Sequence, residues 1–278
     1  MVYYMIRHNN SIFNIGSSIP CLFDLDASKV IEAVRSTGVT ITLPMRHYAH
    51  YLCSNTKNIG TWQNSNAVYG FVGGTAASHK FNWKNPIDTD GAFRLTPVGA
   101  GTFTNNANGM KGASASAMNT FVNRNTLVNG DTHFSNYTTV DDPTGDAAMG
   151  VINVALAFNL IQRVNGLRNV QLPGSTLNVG NIYPALSVTK GYHIATISSN
   201  SLSYFYKGVP QIASSANNVT LENFSGNIYV VGRNDLSSTT LGSLKTYGYF
   251  SIGSGFTDTQ SIQQSQIVKN AQTILNRA

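Results

Sequence analysis

From Trp62 onward the chain falls into short apolar runs, cut roughly every eight to twelve residues by Gly, Asn or Pro. Runs this short suit strands and give a helix too few turns to bury a stripe. The candidate strands are residues 67–72, 92–96, 150–160, 194–197, 202–206, 227–231 and 245–252. Turn signals lie at Asn108-Gly109, Asn129-Gly130, Asn165-Gly166, Lys207-Gly208 and Arg233-Asn234. Residues 201–211, SLSYFYKGVPQ, read as a hairpin around the Lys-Gly pair. The spacing predicts a sandwich of two antiparallel sheets.

Composition supports the same class. Only 30 of 278 residues are charged, 11%, which excludes a charged helical bundle, a coiled coil and a disordered tail. Polarity comes instead from Asn, Ser and Thr with 25 Gly, residues of turns and solvent-facing strand positions. Glu occurs only as Glu32 and Glu222. The net charge of +6 is spread without two adjacent Lys or Arg residues, so no phosphate-tracking run exists and nucleic acid is not an expected partner.

The first sixty residues differ in texture. Asp24 or Asp26 can cap a helix through Lys29 to Arg35, with Val30, Ile31 and Val34 on one face and Gly38 as its stop. A second helix starts near Pro44 and passes Tyr48, Leu52 and Cys53 before Gly60. At the other end Thr257 and Gln260 form a capping box, and Ile262, Ile267, Ala271, Ile274 and Leu275 make an apolar face that should pack outside the sandwich. The expected division is an N-terminal arm over 1–21, a helical appendage over 22–60, and a sandwich over 61–278 that closes with a helix over 258–276. The arm alternates apolar and polar residues, with Arg7, His8, Asn9 and Asn10 where a signal peptide needs an apolar core. No apolar stretch reaches membrane-spanning length. Cys21 and Cys53 are too few for a disulfide framework, and whether they pair stays open.

One stretch is familiar. Thr61 to Leu95, TWQNSNAVYGFVGGTAASHKFNWKNPIDTDGAFRL, resembles a segment of tailed-phage virion proteins: a Trp, a YxFVGGTAxxHKFN string, an Asp-rich turn, then AFR. Ala148-Met149-Gly150, IYVVGR over Ile228 to Arg233, and YFSIGSGFTDTQ to the closing ILNRA follow in the same order. The resemblance spans 23–278 and implies a concanavalin A-like or laminin-G-like jelly roll of a tail fibre, tail tip or capsid appendage. It implies a virion location after assembly in the host cytoplasm. A start at its own Met, just before the helices, favours a compact building block over a long fibre. The residues alone read Tyr69 to Asn82 as a structural corner, with Gly73-Gly74 permitting a sharp turn.

Chemistry-bearing residues are scarce. Asp88 with Asp90, and Asp141 and Asp142 with Asp146, are the only carboxylate clusters, and each lies among Pro and Gly, where Asp is a turn residue. They suit calcium better than glycoside hydrolysis, although neither matches a fixed ligand spacing. His47 and His50 sit three apart without the Glu of a zinc signature, and His79 is expected to bond a loop carbonyl. Neither a nucleophile elbow nor a P-loop is present, so no enzyme and no cofactor beyond calcium is expected. Sugars bind aromatic faces beside amide and carboxylate groups, which makes Trp62, Trp83, Tyr204, Tyr206 and Tyr247 the candidate carbohydrate-binding set. The leading expectation is a structural virion component working by protein–protein contacts, its residues 1–20 tethering a neighbour. The alternative is a host-adhesion module binding cell-surface glycans. Either role favours a homo-oligomer such as a trimer.

Overall fold

The computed structural model describes residues 23–142, 146–153, 156–164, 167–171, 189–199, 201–216, 225–236 and 241–278. The arm over 1–20, Cys21 and the Asn165-Gly166 turn lie outside the described residues. Three helices come first, α1 (Leu25–Ser36), α2 (Leu43–Asn58) and the single turn α3 (Thr61–Asn64), and a fourth, the single turn α4 (Ala76–His79), follows the first strand. The strands are β1 (Ser65–Gly70), β2 (Thr96–Gly99), β3 (Thr104–Asn106), β4 (Gly109–Lys111), β5 (Ser116–Asn123) and β6 (Thr132–Val140). Next come β7 (Asp146–Asn153), β8 (Leu156–Val164), β9 (Leu167–Gln171), β10 (Gly191–Ser198), β11 (Ser201–Tyr206) and β12 (Val209–Ala216). The last are β13 (Asn227–Val230), β14 (Gly232–Asp235), β15 (Leu241–Gly242) and β16 (Thr246–Gly253), followed by helix α5 (Asp258–Ile274).

The strands form two sheets, a mainly β sandwich with a C-terminal helix, as expected. The first runs β12-β11-β10-β6-β16-β4-β3, with β1 also on β16; the second runs β15-β14-β7-β13-β5-β2, with β8 and β9 continuing from β7. Pairing is antiparallel except for β14 on β7, where Asn234 and Asp235 run parallel to Val151 and Ile152. That pair corrects the expectation of purely antiparallel sheets and also the Arg233-Asn234 turn, since both residues lie in β14. The bend comes earlier, at Val231 and Gly232, both at positive φ. The expected single strand over 150–160 is two antiparallel strands, β7 and β8, with Asn153 opposite Leu156. No Gly or Pro marks that reversal. Residues 92–96 do not form one strand either: Ala92 ends a 3-10 turn, Phe93 is left-handed, and β2 begins only at Thr96.

Two cores flank the first sheet. Between the sheets, Tyr69, Phe134, Met149, Ile197, Tyr204, Val230 and Phe250 pack in one apolar cluster. On the outer face, Val68, Tyr137, Ile194, Phe205 and Tyr249 meet Val34, Tyr48, Leu52 and Val268 of the helices. The alternation along each strand therefore serves two buried faces, because α1, α2 and α5 cover one of them. The N-terminal helices share this outer core with α5.

Local signals explain the helices. Asp24 caps α1 by accepting from the Asp26 and Ala27 amides, and Thr257 with Gln260 closes a capping box on α5. Thr42 caps α2, with Pro44 in its first turn. On α5, Ile267, Val268 and Ala271 are buried, whereas Ile262 is 45% exposed. Among the described residues, no helix is long and apolar enough to cross a membrane.

Candidate functional site

The string Tyr69 to Asn82 forms a corner between β1 and the second sheet. Buried Asn82 ties it together: its Oδ1 accepts from the Val68 and Lys84 amides, and its Nδ2 donates to the Ala92 carbonyl. A Cβ on Gly70 would lie 2.6 Å from the Trp83 ring, so the close ring-to-backbone contact requires glycine. His79 does not bond a loop carbonyl as expected. Its Nε2 accepts from the Gly74 amide at 3.2 Å and its Nδ1 faces Asn105 Oδ1 at 2.9 Å, because Gly73-Gly74 turns an amide toward the ring. Burial pushes its pKa down to about 3, so the imidazole is neutral.

The five candidate sugar-binding aromatics are all buried, with Tyr206 the most exposed at 9%. Trp83 meets the Tyr48 ring edge-on at 5.5 Å. Trp62 has Lys57 and Lys84 ammonium groups 5.4 and 4.8 Å from its centroid. The Tyr204 hydroxyl bonds His193 Nδ1, Tyr206 donates to the Lys190 carbonyl, and Tyr247 bonds Ser243. All five rings are thus packed inside the fold. Trp62 and Trp83 belong to the helix-side core, Tyr204, Tyr206 and Tyr247 to the core between the sheets.

Several of the candidate metal carboxylates make ion pairs or hydrogen bonds. Asp88 pairs with Lys80 and with Arg94 at 2.9 Å, and Asp90 pairs with Arg94 at 2.8 Å. Asp141 accepts from Thr189, and half-buried Asp142 follows it. His50 Nδ1 accepts from the Asp24 amide, and His47 packs edge-on to Tyr51. Among the described residues no three His, Cys, Asp or Glu side chains converge as ligands. Cys53 is a buried free thiol.

The surface feature with binding geometry lies elsewhere, on the β10–β11 hairpin. Thr196 pairs with Ser203 and Ser198 with Ser201, which puts four hydroxyls on one face, while Ala195, Ile197, Leu202 and Tyr204 point into the core between the sheets. Near the start of β10 that outer face is apolar, and Ile194 and Phe205 pack in the helix-side core. The helix begins at Asp258, and beside its first turn the hydroxyls line a cavity of about 210 Å³ with Phe256, Thr257 and Asp258. Ser198 and Ser201 are half-buried and Asp258 is exposed at the rim.

The floor of this cavity is rigid. Thr196 Oγ1 accepts from the Phe256 amide at 2.8 Å and donates to the Phe256 carbonyl at 3.1 Å. The Phe256 ring stacks on His133 at 3.8 Å. His133 donates from Nδ1 to the Ser254 carbonyl and accepts at Nε2 from Ser251, and burial lowers its pKa to about 4. The arrangement offers the half-buried Ser198 and Ser201 hydroxyls and the Asp258 carboxylate in a shallow pocket, groups that exchange hydrogen bonds with a polyol. The alternation Thr196, Ser198, Ser201, Ser203 around Ile197 and Leu202 was visible in the sequence, but hydroxyls on a strand usually mean solvent.

No protein-family model matches the chain, and no curated protein matches it by sequence. Solved structures resemble it only in outline. Domain 4 of AbnA, an extracellular arabinanase from Geobacillus stearothermophilus in complex with arabinotriose, aligns at 14% identity and TM-score 0.47, covering 73% of this chain and 98% of that one. Trypanosoma rangeli sialidase in complex with 2,3-difluorosialic acid aligns at 10% identity and TM-score 0.47, covering 81% of this chain and 39% of that one. A second structure of that sialidase gives 9% identity and TM-score 0.48. The chain thus spans about two fifths of the sialidase. Neither is a phage protein, so the virion resemblance rests on the sequence strings alone.

Proposed function

We propose that the chain is a non-catalytic binding module that recognises surface glycans at the hydroxyl-lined cavity between the β10–β11 hairpin and the start of α5. The observation that carries this reading is the convergence of Thr196, Ser198, Ser201 and Ser203 with Asp258 in one cavity of about 210 Å³. A cavity of that size sits below the range for drug-sized ligands and suits one sugar ring at a time. Single-ring recognition is weak, so useful retention requires several copies acting together, consistent with a homo-oligomer such as a trimer. The exposed Asp258 carboxylate and the half-buried Ser198 and Ser201 hydroxyls supply acceptors and donors for sugar hydroxyls. A glycan array and a host-polysaccharide retention assay test this. Binding should fall on Asp258→Ala and Ser201→Ala; no retention on any host glycan sinks the reading.

A second reading is a structural component of a tailed-phage virion that works by protein–protein contacts and assembles in the host cytoplasm. It is supported by the Tyr69 to Asn82 and Tyr249 to Ala278 resemblance and by large apolar side chains left on the surface at and just before the N-terminal helices. Phe23, Leu25 and Leu43 are 73%, 68% and 67% exposed. Exposed apolar groups of this size suit contact with a neighbour. Residues 1–20 would then tether the module to that neighbour. Deleting 1–20 should abolish incorporation into particles; incorporation at the full-length level would remove the tether from the account. The two readings are compatible in one adhesion protein, and light scattering of the purified chain decides the oligomeric state that both expect.

A further inference from the structure

At the far end of α5, about 25 Å from the hydroxyl cavity at the helical rise per residue, a second cavity of about 350 Å³ opens. Arg277 lines it, and this residue is only 5% exposed. Its Nε donates to the Ala107 carbonyl at 2.6 Å, but its Nη1 has no hydrogen-bond partner. None of the ion pairs among the described residues involves Arg277. Burial lowers its pKa and the neighbouring Tyr48 raises it. A buried cation without a counter-charge is costly, and that cost is relieved when an anion arrives.

Two further features of the cavity favour an anion with an apolar body. Thr42 and Met45 place the start of α2 on the rim, so the positive end of a 16-residue helix faces the opening. The remaining wall is largely hydrocarbon, from Val72, Ile274 and Leu275. Arginine forms paired hydrogen bonds to carboxylates, and the buried Nη1 lacks a partner. We propose that this cavity binds a small organic carboxylate, with Arg277 as the partner of the carboxylate and the α2 end and apolar wall holding the rest of the ligand. The site is independent of the hydroxyl cavity and stands whether or not that one binds glycans.

Calorimetric titration of the full chain with benzoate, neutral benzamide and inorganic phosphate tests it. Benzoate should bind at least about tenfold more tightly than benzamide, the size of a charge-assisted hydrogen bond, and more tightly than phosphate, which lacks the apolar body. Arg277→Met should lose benzoate binding by at least the same factor while unfolding cooperatively. Met45→Trp, which keeps Arg277 and fills the rim, should weaken benzoate as well, and it carries the test if Arg277→Met fails to fold. Absent benzoate binding, equal affinity for benzamide, tighter phosphate binding, or benzoate binding unchanged in either folded variant would overturn the proposal.

Discussion

The two faces of the β10–β11 hairpin differ in a way that separates architecture from function. On the inner face Ala195, Ile197, Leu202 and Tyr204 are fully buried along the whole hairpin. On the outer face the apolar cover ends with Ile194 and Phe205, which pack in the helix-side core; beyond them stand the buried Thr196 and Ser203 and the half-buried Ser198 and Ser201. One period-2 pattern thus encodes a core on one side and, on the other, a core that gives way to a polar cavity. A strand whose outer residues change from apolar to hydroxyl marks where its covering helix begins, and a recess beside that helix end is available for a ligand.

The inner face should be the most sensitive. Tyr204→Ala removes a buried ring and its bond to His193, and should cost about 3–5 kcal/mol in chemical denaturation. A loss under about 1 kcal/mol would mean the inner face is not the structural one.

Acid should come next, through the layer beneath the outer cavity. His133 has its folded-state pKa lowered to about 4 by burial, against an ordinary value near 6.5. Between those values the unfolded chain binds the extra proton, so stability falls as pH drops through that window and is fully retained above it. The integrated loss is on the order of 3 kcal/mol. His79, pushed down to about 3, adds to it over a wider range. His133→Gln should flatten part of the slope in thermal unfolding between pH 6.5 and 4; an unchanged slope would remove His133 from the account.

The edge of the helical cover should respond less. Thr257→Ala breaks the capping box that starts α5 beside the cavity and should cost about 1 kcal/mol. Smallest in stability is Ser201→Ala, a half-buried hydroxyl at the hairpin end, expected within about 0.5 kcal/mol of the parent. Its effect should appear instead as lost retention on glycan, and a stability loss with unchanged retention would reverse the assignment of the two faces.

Much of this fold was legible because its signals are local. The Asp24 and Thr257 caps, the Lys207-Gly208 turn with both residues at positive φ, and the Asn129-Gly130 turn closed by the Val128–Asp131 bridge each depend on a few neighbouring residues. The candidate site was not legible, because burial of Trp62, Trp83 and the tyrosines depends on contacts across long sequence separations. The Tyr48 ring covers Trp83, and β16 and α5, late in the chain, close over residues from its first third. The β7–β8 reversal was missed for lack of a Gly or Pro at Asn153. Arg277 carries no sequence signal of burial at all, since a terminal arginine after a helix ordinarily reads as a solvated cap.

The central claim is that the hydroxyl face of the hairpin, and not an aromatic platform, holds the glycan. Amide chemical-shift mapping on the full chain with a glycan retained in the array tests it most directly. The account predicts shifts concentrated at Thr196 to Ser203 and at Phe256 to Asp258, and largely lost in Asp258→Ala. Shifts centred on Trp62, Trp83 or Tyr247, with the hairpin silent, would contradict it.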